Sequence, residues 1–156
     1  LGIGWDTFRE KVKSFKAPKG RCEVKQMNDI TIIDDTYNAN LNSTLASIDY
    51  LKAFSGNGRR VLVFGDMFEL GEGSMAHHRQ IGEHCLDMEL DAVFSTGTET
   101  TATDRALNDS VYHQHFDSKN DLLAALQKWI TAGDKLLVKG SRGMAMETII
   151  KGLSKN

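Results

Sequence analysis

The chain has 156 residues, 40% of them hydrophobic and 26% charged, which is enough apolar material for one packed domain and too little charge imbalance for a disordered tail. Nineteen basic against 21 acidic side chains leave a formal charge of -2, so there is no overall drive toward nucleic acid or an anionic membrane surface. No apolar run reaches the length of about 18 residues that a membrane helix needs, the start LGIGWDTFREK has no signal-peptide pattern, and Cys22 and Cys85 form no CxxC or CxxH group. We therefore expect a soluble, cytoplasmic protein with no disulfide framework and no metal site.

In chain order, Trp5, Phe8, Val12 and Phe15 first recur at helical spacing, and Pro18 and Gly20 then end the pattern. Leu1 to Lys16 reads equally as a helix leading in from a preceding unit or as a first helix packed on the domain's own sheet. From there short Val- and Ile-rich runs alternate with amphipathic stretches. Strands are expected at Ile30 to Asp34, Arg60 to Gly65, Asp91 to Ser95, Val111 to Phe116 and Lys135 to Lys139. Helices are expected at Ser43 to Phe54, Met75 to Met88, Asp121 to Ile130 and Met144 to Leu153, with a short one from Ala102 to Leu107 in the polar stretch Thr96 to Asp109. This alternation predicts an α/β fold, a Rossmann-like, doubly wound, mostly parallel sheet with helices on both faces.

In such a sheet ligands gather where strands run at their C-terminal ends into helix starts. Three polar loops fall there: DDTYNAN (Asp34 to Asn40), GDMFELG (Gly65 to Gly71) and KGSRG (Lys139 to Gly143). Asn40 or Asn42 with Ser43 also reads as a simple helix start. Two carboxylates, a tyrosine and two amides within seven residues exceed what a cap requires, and they suit ribose hydroxyls, a metal ion or a phosphate. Lys139 to Gly143 joins two cations to two glycines, and the helix expected from Met144 would aim its amide groups the same way, an arrangement that favours an anion. No GxxxxGK(S/T) phosphate loop occurs anywhere in the chain. His77, His78 and His84 share one presumed helix without the i, i+4 pair of a metal-binding helix.

Gly20-Arg21-x-Glu23, DDTYNAN, GDMFELG followed by Ser74 and His78, and VKGSRGMAME from Val138 to Glu147 occur in the order of the C-terminal domain of the Mur ligase family. From Pro18 onward the chain resembles that domain, and its DDTYNAN and VKGSRGM strings resemble the branch that adds D-alanyl-D-alanine. The resemblance implies a three-domain enzyme, with residues 1–16 ending the central ATPase domain and residues 17–156 forming the C-terminal one. It further implies ATP-dependent amide ligation in peptidoglycan precursor synthesis: UDP-N-acetylmuramoyl-tripeptide is activated as an acyl phosphate, and the amine of D-alanyl-D-alanine attacks it. ATP and Mg2+ would serve the full-length enzyme, with the N-terminal and central domains as partners, in a monomer, and this stretch alone would be inactive.

Carried over by motif, Asn40 and Lys139 take catalytic roles, and Arg21, Asp35, Tyr37 and Asn38 contact the nucleotide. Ser141 and Arg142 contact the substrate, while Asp66, Glu69 and His78 match motif positions without an assigned role. Leu41 stands where the family pattern commonly has proline, which predicts a looser turn before the helix. Two other readings stay open: the closing domain of a different Mur-type amide ligase, and a stand-alone α/β module binding a nucleotide or small anion.

Overall fold

The computed structural model describes residues 18–154, and the expected helix over residues 1–16 lies outside them. Six strands form one sheet: β1 (Glu23–Met27), β2 (Ile30–Asp35), β3 (Arg60–Gly65), β4 (Ala92–Thr96), β5 (Tyr112–Phe116) and β6 (Lys135–Lys139). Their order is β1-β2-β6-β3-β4-β5, and every pairing is parallel except β1 with β2. Five helices accompany them: α1 (Leu41–Ala53), α2 (Ser74–Asp87), α3 (Thr101–Ala106), α4 (Lys119–Trp129) and α5 (Glu147–Leu153).

Because strand side chains alternate between faces, the apolar runs feed two cores. Val61 and Val63 of β3 with Leu136 and Val138 of β6 meet Leu122 and Leu126 of α4 and Ile149 and Leu153 of α5. Leu62, Phe64 and Leu137 point the other way, against Ile48 and Leu51 of α1 and Ile81 and Cys85 of α2. Burial on both faces explains why β3, β4 and β6 read as unbroken apolar runs.

The sequence pattern misses β1. EVKQM carries a single β-branched residue and lies half-exposed at the sheet edge. Its turn was nevertheless written in Asn28-Asp29, both at positive φ (46° and 61°), the two-residue connection that a tight hairpin requires. The last helix also differs from expectation, starting at Glu147 rather than near Met144. A 3-10 turn over Arg142–Met144 comes first, and Ala145 is left-handed at φ 47°. Met146 fills the space this creates: a Cβ on Gly140 would lie 2.7 Å from its Cγ and one on Gly65 2.8 Å from its Sδ. The polar loop after β6 is therefore followed by a turn, with no helix amides aimed at it.

The order also fixes where a site can form. From β2 the chain crosses β6 by way of α1 to reach β3, whereas from β5 it returns by way of α4 on the opposite face to insert β6 between β2 and β3. At the C-terminal ends of β2 and β6 the outgoing loops diverge to opposite faces, leaving a crevice.

Candidate functional site

Asp35, the last residue of β2, and Lys139, the last of β6, are direct neighbours in the parallel register. Lys139 Nζ donates to Asp35 Oδ2 at 2.5 Å and to the Asn38 carbonyl at 3.0 Å. Ser47 Oγ, on α1, also donates to Oδ2 (2.7 Å), and the Cys22 backbone N–H donates to Oδ1 (3.1 Å). Both side chains of the pair are nearly excluded from water, at 2% and 11% exposure, so each charge depends on the other. Sequence reasoning missed Cys22 and Ser47. The Asn40, Ser43, Ser47 polar stripe at helical spacing was the available signal.

Above this pair opens a cleft of about 490 Å³ lined by Arg21, Asp35, Tyr37, Asn38, Asn40 and Lys139. The four residues expected at the nucleotide and the two expected to be catalytic are thus brought together. Arg21 places its guanidinium 4.3 Å from the centroid of the half-exposed Tyr37 ring, a cation–π contact at the rim. The segment carrying Arg21 is tied to the same loop, since Tyr37 N–H donates to the Gly20 carbonyl at 2.9 Å. Cys22 lines the wall. Burial pushes its thiol above the usual range and the Asp35 charge adds to this, with Ser47 and the Lys139 ammonium opposing.

Asn40 has a second duty. Its Oδ1 accepts from Ser43 N–H (2.9 Å) and its own N–H donates to Ser43 Oγ (3.2 Å), a complete capping box that starts α1. The turn expected to be loosened by Leu41 is held by this box instead of by a proline ring.

Ser141 does not line this cleft. It is buried; its Oγ accepts from Phe68 N–H (2.7 Å) and donates to the Ala39 carbonyl (3.4 Å), while its N–H donates to the Asp66 carbonyl (2.9 Å). All three polar loops therefore meet at Ser141. Arg142 is exposed and pairs with Glu147 (2.7 Å), and its N–H donates to Asn38 Oδ1 (3.4 Å). Burial raises the Glu147 carboxyl, but its own backbone N–H, Arg142 and Lys151 outweigh this and hold it below the usual value.

The other motif residues turn away from the cleft. Asp66 is buried and accepts the Thr98 and Thr100 N–H groups at 2.8 and 2.9 Å, clamping the β4–α3 loop. His78 is fully buried; its Nε2 accepts from Met67 N–H (2.9 Å), which puts the proton on Nδ1, facing the Ser74 carbonyl at 2.8 Å. Glu69 is exposed at φ 63° on the outer turn. Among the described residues no group of three or more His, Cys, Asp or Glu is placed to hold a metal ion.

The model of the family described as "Mur ligase, glutamate ligase domain" matches residues 20–142. The chain belongs to the Mur ligase family. Among its Mur ligase relatives, the UDP-N-acetylmuramoyl-tripeptide--D-alanyl-D-alanine ligase of Escherichia coli is 35% identical over 100% of this chain and 34% of its own length. The Bacillus subtilis ligase of the same name is 35% identical over 98% and 34%. In structure, MurF from Acinetobacter baumannii superimposes with a TM-score of 0.85 at 28% identity, covering 99% of this chain and 34% of that one. MurF from Thermotoga maritima, solved in complex with ADP, gives 0.78 at 29% identity over 91% and 32%. The chain thus spans about a third of the length of the relatives it matches. The Rossmann-like, mostly parallel sheet with helices on both faces expected from the sequence is observed, with β1 as a sixth, antiparallel edge strand beyond the five expected.

Proposed function

We propose that this chain is the C-terminal domain of an ATP-dependent ligase that joins D-alanyl-D-alanine to UDP-N-acetylmuramoyl-tripeptide, as its relatives' names describe. The observation that carries the reading is the convergence of Arg21, Asp35, Tyr37, Asn38, Asn40 and Lys139 on one cleft at the crevice of the sheet. A relative solved in complex with ADP supports a nucleotide as a ligand of the whole enzyme.

In this reading the Asp35 carboxylate, fixed from three sides, uses its remaining lone pairs on ribose hydroxyls. Arg21 and Tyr37 form a cationic and aromatic rim over the nucleotide, and the unused Asn40 Nδ2 faces the reacting groups. Lys139 lends positive charge to the floor while holding the Asn38 carbonyl in place. Such fixed dipoles and charges suit a reaction that accumulates negative charge on a phosphorylated carboxyl group. No magnesium ligand is assigned to this chain, and the phosphate loop is assigned to a preceding central domain. Residues 1–16 would end that domain, the whole acting as a cytoplasmic monomer. Among the described residues no helix is long and apolar enough to cross a membrane.

The test is a phosphate-release assay on the full-length protein with UDP-N-acetylmuramoyl-tripeptide, ATP and a series of amines. D-alanyl-D-alanine should be used far better than any single amino acid. A preference for a single amino acid would make the chain the closing domain of a different Mur-type ligase.

A further inference from the structure

We infer that His78 is a positioning residue for ligation, holding the loop after β3 against the loop after β6 through a backbone N–H; this rests on the ligase reading above. His78 lies in the second turn of α2, is fully buried and does not line the main cleft. It acts through the chain that leaves β3. Met67 N–H donates to His78 Nε2 (2.9 Å), eleven positions ahead, and the next amide, Phe68 N–H, donates to Ser141 Oγ (2.7 Å). The Asp66 carbonyl accepts from Ser141 N–H (2.9 Å). Short bonds at three consecutive residues, Asp66, Met67 and Phe68, thus tie His78 to Ser141.

Histidine suits the inner end of this chain. A buried N–H needs an acceptor, and an imidazole with its proton on Nδ1 offers one at Nε2. The Nδ1–H is itself satisfied by the Ser74 carbonyl one turn back (2.8 Å). The helix that carries the ring is held in turn. Thr103 Oγ1 donates to the His78 carbonyl (2.7 Å), and α2 lies so close to α3 that a Cβ on Gly82 would stand 2.5 Å from the Thr103 carbonyl. The acceptor is fixed to the helix layer, and the loop is fixed to the acceptor.

Ser141 in turn follows Lys139 by two residues, and its Oγ reaches the Ala39 carbonyl (3.4 Å) between Asn38 and Asn40. The nucleotide side of the cleft is anchored separately, Asp35 by Ser47 and the Cys22 N–H and Tyr37 by the Gly20 carbonyl. Freeing Met67 N–H therefore loosens the side formed by Asn40, Lys139 and the loop beyond it, and leaves the nucleotide side in place. A displacement of about 1 Å at reacting groups costs up to about a hundredfold in rate.

The experiment compares the full-length protein with His78→Gln and His78→Asn. The Gln amide reaches the Nε2 position and still accepts from Met67 N–H, whereas the shorter Asn amide reaches only the Nδ1 position and serves Ser74. Amide-bond formation is followed with all substrates saturating, KM for ATP is measured alongside, and rates are taken where each variant is fully folded by circular dichroism. The Gln variant should keep kcat within about threefold of wild type, and the Asn variant should lose about tenfold or more with KM for ATP within about twofold. Ser141→Ala, which removes the acceptor of Phe68 N–H at the other end of the chain, should show the same split. Equal kcat for the Gln and Asn variants, a lowered Tm with kcat unchanged, or a loss confined to KM for ATP overturns the role. Should the Asn variant not fold, a normal kcat in Ser141→Ala overturns it, and so does a Gln variant that folds without activity. A wild-type protein that forms no amide bond removes the ligase reading, whereas an active one matched by all these variants removes only the role of His78.

Discussion

Asp35 accepts three hydrogen bonds, from Lys139, Ser47 and the Cys22 N–H, at the base of the main cleft. Removing one partner of so enclosed an ion pair leaves an uncompensated charge, at a cost of about 3–5 kcal/mol. Lys139→Ala should therefore lower unfolding stability by about that amount as well as lowering ligation, and Lys139→Met/Asp35→Asn should recover much of the loss. Urea denaturation checks this, and a single variant within about 1 kcal/mol of wild type would show the pair to be solvated. Cys22 gives a second probe, since it lines the cleft while Cys85 is fully buried with its thiol pushed up to about 12. N-ethylmaleimide should label Cys22 of the full-length protein and spare Cys85. Labelling should quicken toward alkaline pH, because the Cys22 thiol is raised, and saturating ATP should slow it. Mass-spectrometric peptide mapping reads the result, and labelling indifferent to ATP would place the nucleotide elsewhere.

Helix α1 links that chemistry to local folding. Asn40 sits at φ -141° and ψ 170°, the extended backbone that a residue before proline adopts, and Leu41 is the first helical position, where proline is best tolerated. Leu41→Pro should therefore fold and gain up to about 1 kcal/mol from a stiffer unfolded chain. A thermal melt tests it, and a lowered Tm would mean that Leu41 packing against the core outweighs the backbone term. The buried strands were legible because double-sided burial demands unbroken apolar runs, and α1, α2 and α4 because one face of each repeats at helical spacing. β1 was hidden by its half-exposed edge position, and the true start of α5 by Ala145, since an alanine, unlike Asn or Asp, gives no sign of a left-handed backbone. The loops of the site were readable because strand ends select them. Two of the three partners of Asp35 were harder to read, because Cys22 reaches it through a backbone N–H and Ser47 from the second turn of α1.

Across the whole molecule, one inserted strand organises everything described. β6 enters between β2 and β3, brings Lys139 beside Asp35 and sends Ser141 to join the three loops. The cleft on the α1 side of the sheet is assigned to the nucleotide. That assignment is tested most directly by Arg21→Ala in the full-length protein, since Arg21 is exposed and its loss leaves the Asp35 hub intact. Steady-state kinetics should show KM for ATP raised about tenfold, in keeping with one lost charged contact, while KM for D-alanyl-D-alanine stays within about twofold. An unchanged KM for ATP would contradict the account.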